Sequence, residues 1–167
     1  NLVKAPDIVA PVLVNACCIN MFSGCSSLTE MPVGNWDVSN VNDMSVMFSG
    51  CTNLKTIKFG DFNMEKISSM SSMFYGCKKL VNIDLSNFDF SSINNTSNVY
   101  RMFYECNSLE YLNLDHFDTH NIDILSNVLF SSLLFSNKSL KRLYINFCSS
   151  MILIVFIEVA ICEATEK

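Results

Sequence analysis

The sequence predicts an α/β solenoid of about 26 residues per coil, each coil made of one short parallel strand and one short helix. Three observations carry this. The phrase Met47-Phe48-Ser49-Gly50-Cys51 recurs as Met21-Phe22-Ser23-Gly24-Cys25, Met73-Phe74-Tyr75-Gly76-Cys77 and Met102-Phe103-Tyr104-Glu105-Cys106, with the methionines 26, 26 and 29 residues apart. A fixed period in the twenties marks stacked repeats, in which each unit buries its apolar face against its neighbours. A second phrase follows each cysteine in constant phase: Leu54, Ile57, Phe59 and Phe62 answer Leu80, Ile83, Leu85 and Phe88, then Leu109, Leu112, Leu114 and Phe117.

The helix is expected at the first phrase. Met44, Met47, Phe48 and Cys51 fall at i, i+3, i+4 and i+7, one apolar stripe of an α-helix, and Cys18, Met70 and Val99 stand where Met44 does. Two turns of helix cannot persist alone in water, so the neighbouring coils must hold them. Gly24, Gly50 and Gly76 sit where such a helix stops in the left-handed region, and Glu105 in that slot predicts a distorted end.

The strand is expected at the second phrase. Ile57-Lys58-Phe59 and Leu112-Asn113-Leu114 alternate apolar and polar, the pattern of a strand with one buried face. The links, such as Trp36-Asp37-Val38-Ser39-Asn40 and Phe88-Asp89-Phe90-Ser91-Ser92, are rich in residues whose side chains bond nearby backbone. They suit a turn that leads into the next coil. Paired carboxylates for acid–base work do not fit, because the link aspartate occurs once per coil and is Asn63 in the second.

Trp36-Asp37-Val38-Ser39-Asn40-Val41 followed by Met44-Ser45-Val46-Met47-Phe48-Ser49-Gly50-Cys51 resembles the unit of the BspA-like leucine-rich repeat family of surface proteins, best known from bacteria. The likeness covers residues 1 to about 117 well, weakens to about 147 and is absent beyond. The fold class becomes a leucine-rich-repeat-like solenoid over 1–147, opening mid-repeat as a piece of a longer chain, with 148–167 an apolar closing element or tail. The usual template has Asn or Cys after its last strand leucine. Here Trp36, Phe62, Phe88 and Phe117 stand there, predicting an aromatic ladder.

In chain order, Leu2, Ala5 and Pro6 stand one period before Leu28, Met31 and Pro32, so the chain starts within a strand phrase. The junctions between 28 and 93 are the most regular and should be the most stable. Three extra residues fall within 94–98 and predict a bulged polar loop; Asn94, Asn95 and Asn137 formally read as glycosylation acceptors. The last unit is loose: Leu140, Leu143 and Ile145 repeat the strand pattern, Leu133-Leu134 replace Met-Phe, and Ile122, Ile124, Leu125, Val128, Leu129 and Phe130 add apolar surface. Met151 to Cys162 is 12 residues, nearly all apolar. About 20 are needed to span a bilayer, so the segment reads first as a buried closing element, with a membrane anchor or an unstructured remnant as alternatives.

Composition narrows the function classes. The chain of 167 residues suffices for one domain with a continuous core. Charged residues make up 16% and the net charge is −5, so no basic stripe exists to neutralise phosphates and nucleic acid is excluded as the expected partner. Cys25, Cys51, Cys77 and Cys106 share one position in successive coils and predict a buried column of small apolar groups, with disulfides between neighbouring coils as the alternative. One cysteine per layer is not a zinc spacing, and neither a cofactor nor a metal is expected. His116 and His120 flank Phe117-Asp118 at a strand-to-turn link, where turn polarity explains them better than catalysis.

With Ile57 and its equivalents inward, the outward column is Glu30 and Pro32, Thr56 and Lys58, Asn82 and Asp84, Tyr111 and Asn113, Arg142 and Tyr144. Solenoid strand faces are broad and rigid, and Tyr and Arg concentrate binding energy. Lys58, Asp84, Tyr111, Asn113, Arg142 and Tyr144 are therefore the candidate protein-binding residues. The resemblance implies a non-enzymatic extracellular or cell-surface adhesion module for host or neighbouring-cell proteins, with extracellular matrix proteins the implied partner class. A passive spacer within a larger surface protein is the alternative; membrane contact follows only if 151–162 is an anchor.

Overall fold

The structure, a computed structural model, describes residues 2–3, 13, 17–32, 36–59, 66–88, 92–93, 95–114 and 139–145. The expectations for Ala5 and Pro6, Phe62, Asn94, His116, Phe117, His120, residues 122–134, Asn137 and residues 146–167 lie outside them.

Five strands, β1 (Glu30–Pro32), β2 (Thr56–Lys58), β3 (Asn82–Asp84), β4 (Tyr111–Leu114) and β5 (Arg142–Ile145), form one parallel sheet in chain order. The register repeats the sequence period: Glu30 pairs with Thr56, Thr56 with Asn82, Asn82 with Tyr111 and Tyr111 with Arg142. Each strand therefore lies beside its equivalent in the next coil. Just before the strands, the amide of Thr29 donates to Val3 O, Lys55 to Thr29 O, Val81 to Lys55 O, Glu110 to Val81 O and Lys141 to Glu110 O. Val3 thus aligns with Thr29, as the phase of Leu2 and Leu28 predicts.

The Met-Phe phrases correct the helix expectation. They are tight turns, and among the described residues the helix of the structure is a single 3₁₀ turn, Thr96–Val99, in the loop carrying the three extra residues. Asn95 caps it by accepting from the amide of Ser97 at 2.8 Å. Within Met44–Cys51 the amides divide into two sets. Those of Met47, Ser49 and Cys51 close turns onto Met44, Val46 and Phe48; those of Met44, Val46, Phe48 and Gly50 donate to Ser69, Ser71, Met73 and Tyr75 of the following coil at 2.7–2.9 Å. Met70, Ser72, Phe74 and Gly76 repeat the pattern onto Asn98, Tyr100, Met102 and Tyr104.

The reason lies in backbone sign. Left-handed residues recur at the first slot (Asn20, Val46, Ser72 and Arg101, φ 54 to 62) and the last (Gly24, Gly50, Gly76 and Glu105, φ 61 to 73). Two reversals in five residues break the i to i−4 ladder, and stacking gives the freed amides partners in the next layer. Glu105, expected to distort the end, adopts the same left-handed conformation as the glycines. The stripe itself survives: Met44, Met47, Phe48 and Cys51 are all buried.

The core runs between turns and sheet as columns of like residues: Leu28, Leu54, Leu80 and Leu109; Met31, Ile57, Ile83 and Leu112; Val41, Ile67 and Ile93. Through its centre Phe22, Phe48, Phe74 and Phe103 stack face to face with centroids 5.7, 5.8 and 5.7 Å apart and interplanar angles of 7° or less. Of the aromatics expected as a ladder, Trp36 and Phe88 are among the described residues. Trp36 lies 6.0 Å from Phe22, and Phe88 meets Phe59 edge-on at 4.8 Å.

Candidate protein-binding face

The strands position the candidate residues by alternation. In β2 and β3 the middle residues Ile57 and Ile83 are buried, while Thr56, Lys58, Asn82 and Asp84 point outward and are exposed. Exact coil register carries this across the sheet, placing Asp84 beside Asn113 and Asn113 beside Tyr144. Arg142 is exposed and Tyr111 half-buried beside it. Asp84 also accepts the amide of Ser86 at 3.0 Å, so its carboxylate both shapes the turn after β3 and faces solvent.

Asn113 departs from the expectation. It holds the outward register but is only 9% exposed, an interior position between β3 and β5, and so contributes little presented surface. For Tyr144 the backbone register is described; its side chain lies outside the described residues. At the foot of the column Lys141 pairs with Glu110 at 2.9 Å, with side chains 68% and 43% exposed, a screened pair of small energetic weight.

The cysteine column behaves as a packing element. Cys51, Cys77 and Cys106 are buried and Cys25 half-buried, and all are free thiols. Each buried thiol donates to a phenylalanine carbonyl of the preceding coil: Cys51 to Phe22, Cys77 to Phe48 and Cys106 to Phe74, all at 3.1 Å. Desolvation by burial pushes Cys51 and Cys106 up to about 12 and Cys77 well above its ordinary value. Thiols kept neutral by burial pack as small apolar groups. Cys17 and Cys18 add a second pair, Sγ to Sγ 3.8 Å, with Cys18 raised to about 12 chiefly by burial. Among the described residues no cluster of three or more His, Cys, Asp or Glu could hold a metal ion, and no helix is long and apolar enough to cross a membrane.

Sequence reasoning missed one group of surface residues. On the turn side, opposite the sheet, Tyr75 and Tyr104 stack at 5.6 Å and 12° while Arg101 lies over Tyr100 and Tyr104. The signal was present as a change within a column, from Ser23 and Ser49 to Tyr75 and Tyr104.

Parallel strands in chain order, a constant coil offset and core columns of like residues define a stacked-coil repeat protein with a strand face and a turn face. The chain belongs to the family described as "Mycoplasma protein of unknown function, DUF285", whose model matches residues 16–142. That span contains all four Met-Phe turns and ends on the first residue of β5. Comparison with curated proteins finds no match.

Proposed function

We propose that the chain is a BspA-like, leucine-rich-repeat-type module of a secreted or cell-surface protein, and that its strand face binds host or neighbouring-cell proteins. The supporting observation is the outward register, which the five strands share and which exposes Lys58, Asp84 and Arg142 with Tyr111 half-exposed beside Arg142. A rigid sheet loses little entropy on docking, and Tyr and Arg are among the residue types that concentrate energy at the centre of protein contacts. Tyr111 and Arg142 supply the anchor; Lys58 and Asp84 supply charge at the rim. The function is binding without catalysis, with no cofactor, and extracellular matrix proteins are the partner class to test first.

The test is retention of the recombinant domain on an immobilised extracellular-matrix preparation, with Tyr111→Ala and Arg142→Ala alongside. Loss of retention in both variants, with melting temperature unchanged, supports adhesion. Undiminished retention moves the function to the second reading, a spacer. That reading is favoured by the uninterrupted Phe22–Phe103 stack, which makes a stiff rod whatever its surface carries. A spacer predicts that replacing the whole outward column by Ser leaves whole-cell adhesion unchanged.

A further inference from the structure

The turn face carries a second surface that the strand-face reading leaves unused. In the first two coils its outward slots hold small or aliphatic side chains, Ile19, Asn20 and Ser23, then Ser45, Val46 and Ser49. In the next two, four large groups gather: Tyr75, Tyr100, Arg101 and Tyr104. Stacking brings them together, because Tyr104 occupies the position of Tyr75 one coil on. The two rings lie parallel, 5.6 Å apart at 12°, and the Arg101 guanidinium sits 4.9 Å from the Tyr100 ring centroid and 5.4 Å from that of Tyr104. Tyr100 is 44% exposed, one of three exposed large hydrophobic residues among those described.

The backbone beneath is fixed. Tyr100 O accepts from the amide of Ser72 at 2.8 Å and from the hydroxyls of Ser71 and Ser72 at 3.3 and 3.4 Å; Tyr104 O accepts from Gly76 at 2.8 Å. The array is preformed, so binding orders few side chains. Arg101 is exposed, with its guanidinium carbon over the rings of Tyr100 and Tyr104. A guanidinium placed over aromatic rings at an exposed position retains N–H donors that suit a carboxylate, which it can take through two parallel bonds. Lys78 and Lys79, exposed in the loop just after the Tyr75 turn, add positive charge on the same coil.

We infer that the Tyr75–Tyr100–Arg101–Tyr104 array is a second docking surface, for an acidic segment of a partner protein, with an Asp or Glu carboxylate on Arg101 and an apolar neighbour against Tyr100. The inference rests on the reading of the chain as a protein-binding module and names the chemistry of a contact on its other face.

The test is selection from a displayed random heptapeptide library on the immobilised domain, followed by fluorescence-polarisation titration of the enriched peptides. Enrichment in Asp and Glu, at least tenfold weaker binding to Arg101→Asn and to Tyr100→Ser, and unchanged binding to Tyr111→Ala are expected. Arg101→Asn is a fair probe because Asn20 holds the equivalent left-handed position in the first coil, so the backbone is not stressed. Equal binding of acidic peptides to Arg101→Asn, no acidic enrichment, or binding instead of a sialylated or sulfated glycan would overturn the inference. Matrix retention lost in the strand-face variants together with failure to select acidic peptides leaves adhesion standing and removes this surface; acidic peptides that bind here while those variants retain full matrix binding do the reverse.

Discussion

Phe74→Ala tests the stacking on which the architecture depends. The Phe74 ring is fully buried, with Phe48 5.8 Å away on one face, Phe103 5.7 Å away on the other and Phe59 edge-on at 6.2 Å. Truncating a buried phenylalanine costs about 3–5 kcal/mol. Each aromatic pair adds roughly 0.5–1.5 kcal/mol beyond burial, and both faces are lost here, so the upper part of that range is expected. A cost of about 4 kcal/mol raises the unfolded fraction roughly a thousandfold and is a large share of the ~5–15 kcal/mol that holds a domain together. Urea denaturation reads the total, and amide exchange reads where it falls. In a stack of nearest-neighbour units the loss should concentrate at the Phe48-to-Met73 and Phe74-to-Met102 bonds, with the Phe22-to-Met47 bond affected less. A loss below about 1 kcal/mol, or exchange rising equally in every coil, would refute the stacked-column account.

Three further outcomes follow from the turns and the thiols. Gly50→Ala should destabilise by about 1 kcal/mol in urea denaturation through its positive φ alone, since the added Cβ would meet Gly24 only at an ordinary 3.6 Å, and Gly50→Asn should cost less. Under reducing conditions stability should hold below pH 9 and fall between about 9 and 12. The sign follows from burial, which raises Cys106 from 9.0 to about 12, so above pH 9 the unfolded chain releases a proton that the folded chain keeps. Cys106→Ala should lower the slope of stability against pH in that window by about one proton. A thiol-reactive dye added at neutral pH should label Cys51, Cys77 and Cys106 only as fast as the chain unfolds, which mass mapping of the labelled peptides measures.

Much of the architecture was legible because the repeat is written in the core. The equal spacing of Leu54, Ile57, Leu80 and Ile83 fixed strand positions and register, since a strand shifted by one residue would turn Ile57 and Ile83 to solvent. The helix was not legible correctly. Met44, Met47, Phe48 and Cys51 fall on one side in an α-helix and in two consecutive tight turns alike, and periodicity cannot separate the two. What decides is φ at Val46, Ser72 and Arg101, residue types that carry no left-handed signal and are held there by amides bonded to the next coil. The strand-face column was placed by alternation, but the low exposure of Asn113 depends on what surrounds it in three dimensions. The Tyr–Arg array joins residues from two coils, so no single repeat displays it.

The turn-side ladder has a direction. From Asn20 to Gly24, Met44 to Gly50 and Met70 to Gly76, the main-chain donors that leave a coil all point toward the C-terminal neighbour. A layer laid in upside down would set donor against donor, whereas a whole layer copied in the same sense would find every acceptor waiting. Proteins of this build can therefore grow or shrink by complete layers without redesign, while an insertion of a few residues must be looped out, as the Asn95-capped turn does at the one long interval among the four Met-Phe turns.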